Sequence, residues 1–278
     1  MTLTSGLKLL APEGAAEDKF GGSVAIYEDT IVVGAEYDDD NGDDSGSAHV
    51  FVRSKEEWRY QAKLLHPEAA SFDRFGGSVA IYGDTIVVSA HLDDDNGENN
   101  SGSAHVFVRS GGNWTHQAKL LAPDGAANDY FGLRVAIYED KIVVGAYCDK
   151  DNGVNSGSTH VFVRSGETWT HEAKLLAPDG AANDFFGKST AVYKDAIVVG
   201  AYGDDENGSL SGSAHVFLTR DSEESAYYYC ATESWAANWE MELDFSGCGT
   251  PCPSQKDTAC SGGDMCHRSL DCFHNSRR

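Results

Sequence analysis

The chain is poor in positive charge, in long apolar runs and, over its first 220 residues, in cysteine. Lys and Arg number 21 against 44 Asp and Glu, giving a formal net charge of −23. That balance argues against nucleic acid or an anionic membrane surface as partner, because phosphate binding needs clustered cations. No stretch approaches the roughly 18 consecutive apolar residues of a membrane-spanning helix, so no membrane insertion is expected. Residues Met1 to Lys8 carry neither the basic nor the apolar region of a signal peptide. There is no Gly-x-Ser-x-Gly elbow and no complete Gly-x-x-x-x-Gly-Lys-Ser/Thr phosphate-binding loop, since Ala182 stands where the first glycine would precede Gly187-Lys188-Ser189, which removes two common frameworks for catalysis.

What the chain does have is a repeat. Phe20-Gly-Gly-Ser-Val-Ala-Ile-Tyr27, Thr30-Ile-Val-Val-Gly-Ala35, an acidic loop and Ser45-Gly-Ser-Ala-His-Val-Phe51 recur four times. The anchoring phenylalanines are Phe20, Phe75, Phe131 and Phe186, separated by 55, 56 and 55 residues. A fixed period of this size signals a repeat architecture. A fourth segment, Ala62-Lys-Leu-Leu65, recurs at 118–121 and 173–176, and its counterpart Leu7-Lys-Leu-Leu10 stands at the start.

Each period thus offers four short apolar runs bounded by turn residues, the pattern of four antiparallel strands. Two-residue connections such as Glu28-Asp29 suit tight hairpins. Ile31-Val32-Val33 is apolar on both faces, so the inner strands are covered on both sides by neighbouring sheets. Four-stranded sheets repeated in this way are blades of a β-propeller. The expected fold is all-β: four four-stranded antiparallel blades at about 20–66, 75–122, 131–178 and 186–218. The last copy lacks its fourth run, and the N-terminal strand at 7–11 is expected to close it. A monomer follows if the ring closes, and an oligomer if four blades do not close.

Phe-Gly-x-Ser-Val-Ala followed by Val-Val-Gly-Ala resembles the FG-GAP repeat of integrin-alpha-type propellers, over about residues 7–220. Beyond a linker at 221–226, residues 227–278 form a cysteine-rich module with Cys230, Cys248, Cys252, Cys260, Cys266 and Cys272. It is similar to cysteine modules of secreted algal and oomycete proteins. So many cysteines in so short a segment suit disulfides in an oxidising compartment better than a zinc site, since no Cys-x-x-Cys pair occurs. Sequons at Asn99, Asn113 and Asn207 agree with secretion. The expected location is extracellular or cell-surface. Cys148 is left over as a free thiol.

The acidic loops are the first candidates for chemistry. Asp38 and Asp40, Asp93 and Asp95, Asp149 and Asp151, and Asp204 and Glu206 are alternating acids followed by Asn-Gly. Carboxylates converging in a turned loop are what calcium needs, whereas Asn-Gly is by itself a hairpin signal, and both readings stay open. In the family, calcium sits between the first and second strands of a blade; here the acidic loop lies between the second and third. His49, His105, His160 and His215 recur on the third strand of separate blades, which assigns them a structural role. His116 and His171 are expected on the outer-strand surface, and Trp58, Trp114 and Trp169 to pack that strand.

Four near-identical units with no singular constellation suit a binding protein better than an enzyme. The expected function is adhesion-type binding of an extracellular protein or glycan, with calcium as the cofactor in prospect. A polysaccharide-active enzyme or its carbohydrate-binding accessory, and a structural matrix component, are the alternatives.

Overall fold

The computed structural model describes residues 6–94 and 98–218, with two further short strands near the C-terminus, and its regular structure among the described residues is entirely β. The first sheet comprises β1 (Ser23–Tyr27), β2 (Thr30–Ala35), β3 (Ser47–Ser54) and β4 (Glu57–Leu64). The second comprises β5 (Phe75–Tyr82), β6 (Thr85–Ala90), β7 (Ser103–Ser110) and β8 (Asn113–Leu120). The third is β9 (Phe131–Tyr138), β10 (Lys141–Ala146), β11 (Ser158–Ser165) and β12 (Thr168–Leu175). The fourth holds β13 (Phe186–Tyr193), β14 (Ala196–Ala201) and β15 (Ser213–Leu218). Every sheet is an antiparallel meander in chain order. These are the four blades expected of a β-propeller.

The hairpins form as the sequence suggests. Glu28, Gly83, Glu139 and Lys194 all have φ between 49° and 56°, the left-handed conformation that a two-residue hairpin requires. Each outer strand carries a bulge, as between Val50 and Phe51 in the first blade.

The core lies between the sheets rather than within them. One cluster joins Val32, Val50 and Leu64 of the first blade to Phe75, Val79 and Ile86 of the second. The next joins Val87, Val106 and Leu120 to Phe131, Val135 and Ile142. The third joins Val143 and Val161 to Phe186, Ile197 and Val199. Close approach of blades demands small residues: a Cβ on Gly46, already at φ 84°, would stand 2.0 Å from the Phe75 carbonyl oxygen. Tyr27, Tyr82, Tyr138 and Tyr193 step from blade to blade at 4.9–5.0 Å between ring centroids.

One expectation is corrected. Among the described residues the fourth sheet has three strands, and residues 7–10 form no strand, with Leu7 and Leu10 66% and 63% exposed. The segment leads directly into the first blade and can reach the fourth sheet only if those two blades lie face to face, which the exposure of both end faces excludes. Two faces are left bare. Val24 and Ile26 are 68% and 64% exposed, whereas their counterparts Val79, Ile81, Val135 and Ile137 are at most 9% exposed. On the opposite face Val198 and Val216 are 39% and 63% exposed, against 0% for Val32 and Val50.

Contacts divide the chain into Met1–Thr219 and Arg220–Arg278. In the second unit β16 (Thr232–Trp235) pairs antiparallel with β17 (Met241–Asp244). The six tail cysteines and their expected disulfides lie outside the described residues.

Candidate functional site

The acidic loops follow the second strand of each blade and bend back over it. Asp38, Asp93, Asp149 and Asp204 are all buried, 1–7% exposed. In the first blade Ser47 Oγ donates to Asp38 Oδ2 at 2.8 Å and lies 3.0 Å from His49 Nε2. Lys63 Nζ stands 2.7 Å from the same carboxylate oxygen and also pairs with Asp40. Asp93 has Ser103 and, at 2.9 Å, Lys119; Asp149 has Ser158 and, at 2.7 Å, Lys174. Lys174 Nζ also meets Asp124 and Asp151, each at 2.7 Å. In each of these three blades a lysine ammonium stands against the buried carboxylate, joined by a second acid in the first blade and by two more in the third. Asp95 lies outside the described residues.

Electrostatics follow from this geometry. Burial would raise the pKa of Asp38, Asp93 and Asp149, but hydrogen bonds from lysine and serine, joined at Asp38 and Asp93 by histidine, hold all three below the usual carboxylate range. Burial also works against the charge on Lys63 and Lys174, and the surrounding carboxylates outweigh it and raise both.

The fourth blade keeps the acids, and among the described residues no lysine pairs with them. Asp179, Asp204 and Glu206 place one oxygen each within 4.8 Å of the others. They are the counterparts of Asp124, Asp149 and Asp151 around Lys174. Three hard oxygen donors of this kind suit calcium or an ammonium group.

A serine, a histidine and an aspartate within hydrogen-bond reach invite a catalytic reading, and the order of contacts defeats it. In a working triad the histidine stands between serine and aspartate. Here serine stands between them, and Ser47, Ser103 and Ser158 are fully buried. The other nitrogen of His105 and of His160 lies 3.1 Å from His116 and His171, respectively, so the outer-strand histidines brace the inner ones. Burial pushes His105 and His160 down to about 4. His66, where the other copies have Ala11, Ala122 or Ala177, lies 3.0 Å from Asp93 and forms a buried cluster with it and His105. Lys119 already supplies the positive charge at that carboxylate oxygen.

A second site is one the sequence reading missed. The residues before the anchoring phenylalanines are Lys19, Arg74, Tyr130 and Phe185, and all have φ between 52° and 58°. Glycine would hold that conformation at least cost, yet each copy has a large side chain there. Those side chains meet the residues after the second strand on one rim. Lys19 and Arg74 sit over the Tyr37 ring at 3.7 and 3.6 Å. Tyr147 packs against Tyr130 and Phe185, and Phe185 stacks on Tyr202 at 5.1 Å and 14°.

Lys188, carried outward by a bulge between Phe186 and Ser189, lies 4.2 Å from the Tyr147 ring and 5.9 Å from that of Tyr202. It forms no ion pair among the described residues. Burial and then the charge of Arg134 lower its pKa. Burial, followed by the charges of Arg74, Arg134 and Lys188, pushes His91 down to about 4. The rim is therefore a concentrated patch of cations and aromatic rings on an acidic protein. Its signal in the sequence was the disagreement among copies at these positions, against agreement almost everywhere else.

Beside the rim, Cys148 is a buried free thiol whose pKa burial raises. On the outer strands, Trp114 and Trp169 donate to Gln61 and Gln117 of the preceding blade at 2.9 and 3.0 Å, so they tie neighbouring outer strands together.

The family model described as the FG-GAP repeat matches residues 4–51, 58–107, 114–162 and 169–217. No curated protein matches. Among solved structures, Saccharomyces cerevisiae Sqt1 is similar at 10% identity and a TM-score of 0.41, over 68% of this chain and 44% of that chain. The chain thus spans less than half the length of that relative.

Proposed function

The chain belongs to the FG-GAP repeat family, and from that premise we propose that it is a protein-binding propeller whose ligand surface is the cationic, aromatic rim. The observation that carries this reading is Lys188, set between Tyr147 and Tyr202 with no ion pair among the described residues, in a chain of net charge −23. Arg and Tyr are residue types that dominate binding energy at interfaces. A fixed patch of them recruits a carboxylate-bearing segment, and charge steers the approach. The left-handed backbone under Lys19, Arg74, Tyr130 and Phe185 holds the side chains in place before the partner arrives.

The partner we favour is an acidic segment of an extracellular or cell-surface protein, in an adhesion-type contact. The tail cysteines and the exposed sequon residues Asn99, Asn113 and Asn207 support that location. A glycan is the second reading, favoured by the stacked Phe185 and Tyr202 pair, a ready platform for a sugar ring. We assign no catalytic role, because the Ser-His-Asp sets are buried and wrongly ordered.

The test is binding of the full chain to immobilised acidic, neutral and basic peptides and to a glycan panel. Acidic peptides should bind at about micromolar Kd, and Lys188→Glu with Arg134→Glu should weaken them tenfold or more. Equal binding of all peptides, or indifference to the double variant, would overturn the reading. Glycan binding lost with Tyr202→Ala would transfer the rim to the second reading.

A further inference from the structure

We propose that two copies of this chain join head to tail, the bare face of the fourth blade of one receiving the first blade and N-terminal segment of the other. Three observations lead there independently of the rim.

The two bare faces are complementary by repetition. Within one chain, the face bearing Val32 and Val50 covers the face bearing Val79 and Ile81, and the same junction recurs twice more. Val198 and Val216 form the first kind of face and Val24 and Ile26 the second, all exposed. A face that packs so well inside the chain has the shape and chemistry to pack on the matching face of a second copy. Each junction joins two different faces, and two of them related by a two-fold axis close a pair.

Close approach is prepared on both sides. Gly34 and Gly145 abut Gly76 and Gly187 of the following blade, whose carbonyl oxygens would lie 2.0 and 2.1 Å from an added Cβ. Gly200 and Gly21 occupy the equivalent positions on the bare faces. No following blade confronts Gly200, and nothing lies within 4 Å of a Cβ on Gly21. One hydrogen bond of the internal junctions has no counterpart: Thr30 and Thr85 accept from Arg109 and Arg164, whereas Ala196 has no hydroxyl for Arg53.

The third observation is a charge and its counter-charge. Asp179, Asp204 and Glu206 form the same three-acid nest that encloses Lys174 in the third blade. The missing strand's lysine is Lys8, since Leu7-Lys8-Leu9-Leu10-Ala11-Pro12 repeats Ala173-Lys174-Leu175-Leu176-Ala177-Pro178, and the family match takes in residue 4 onward. Lys8 is exposed. In each internal junction the outer strand and the following blade arrive together, joined by a short loop. The segment at 7–10 therefore seats on a fourth blade only when the first blade packs there too. Within this chain Val24 and Ile26 of the first blade and Val198 and Val216 of the fourth are all exposed, so the first blade does not pack on its own fourth blade and a second copy supplies the seat. By the register of the first sheet, where Ala48 pairs with Leu64 and His49 with Lys63, Leu9 of one copy pairs with Ala214 of the other and Lys8 with His215. Two such junctions join eight blades in one closed assembly.

The experiment is sedimentation of the full chain, with and without a chelator. A mass of twice 29.8 kDa that survives chelation is expected, and Val24→Asp and Val216→Asp should each abolish it. Both residues are exposed, so both variants keep their fold. Mixing the two variants should restore an association, because each retains the face that the other lacks. Lys8→Glu should weaken pairing tenfold or more.

A single-chain mass at all concentrations would overturn the proposal. An association untouched by both valine variants would assign it to the tail and do the same. Loss with only one of the two would indicate like faces meeting, and dependence on calcium would give the acid nest to the metal instead of Lys8.

Discussion

The third and fourth blades share a loop, an acid nest and an inner hairpin, but the third is covered on both faces and the fourth on one. In the third blade Asp149 holds Lys174 in a buried ion pair and Val143 is 0% exposed. In the fourth, the acids meet no lysine among the described residues and Val198 is 39% exposed. Near-identical sequences therefore carry different energies according to their neighbours. The difference teaches that the folding unit here is the junction, made of one blade's outer strand and the next blade's inner hairpin.

The largest test of that contrast is Lys174→Met. It leaves Asp149 buried and unpaired, and should cost about 4 kcal/mol of stability in a urea titration. Recovery by calcium would show that the nest accepts either cation.

Acid comes next. His105 and His160 titrate near 4 in the fold and near 6.5 when unfolded. Between those values the unfolded chain binds more protons, so stability is full above about pH 6.5 and falls as pH drops toward 4. The loss is on the order of 3 kcal/mol per histidine. Melting temperature against pH should be flatter in the His105→Asn, His160→Asn double variant.

Glycine substitutions separate the blades directly. A Cβ on Gly157 meets the Phe186 carbonyl oxygen at 2.0 Å, whereas the nearest atom to one on Gly212 is 3.3 Å away. Gly212→Ala bears only the positive φ, about 1 kcal/mol, and Gly157→Ala should cost about 2 kcal/mol more. The smallest contrast is Val143→Ala against Val198→Ala, with about 2 kcal/mol expected for the first and under about 1 for the second in the dissociated chain. Equal costs at high protein concentration would mean that the end face is covered in solution.

The repeat, its strand content and the hairpins were legible in the sequence because they rest on local patterns: period, alternation and turn chemistry. The acid loops were legible as clusters of carboxylates. Their partners were not, since Lys63 and Lys174 stand on outer strands about 25 residues further along and reach the acids only once the sheet is formed. The rim was illegible for a related reason: Tyr147 comes from the third blade and Lys188 and Tyr202 from the fourth, and they meet only after stacking.

By itself the sequence determined what each unit is, an antiparallel blade with small residues at its crossings and an acid loop above them. Tertiary structure alone decided which faces are covered, which acids hold an amine and which aromatic rings share a cation. Those depend on the order in which blades pack, and a blade with no neighbour on one side has the same residues but no surface against which to bury them.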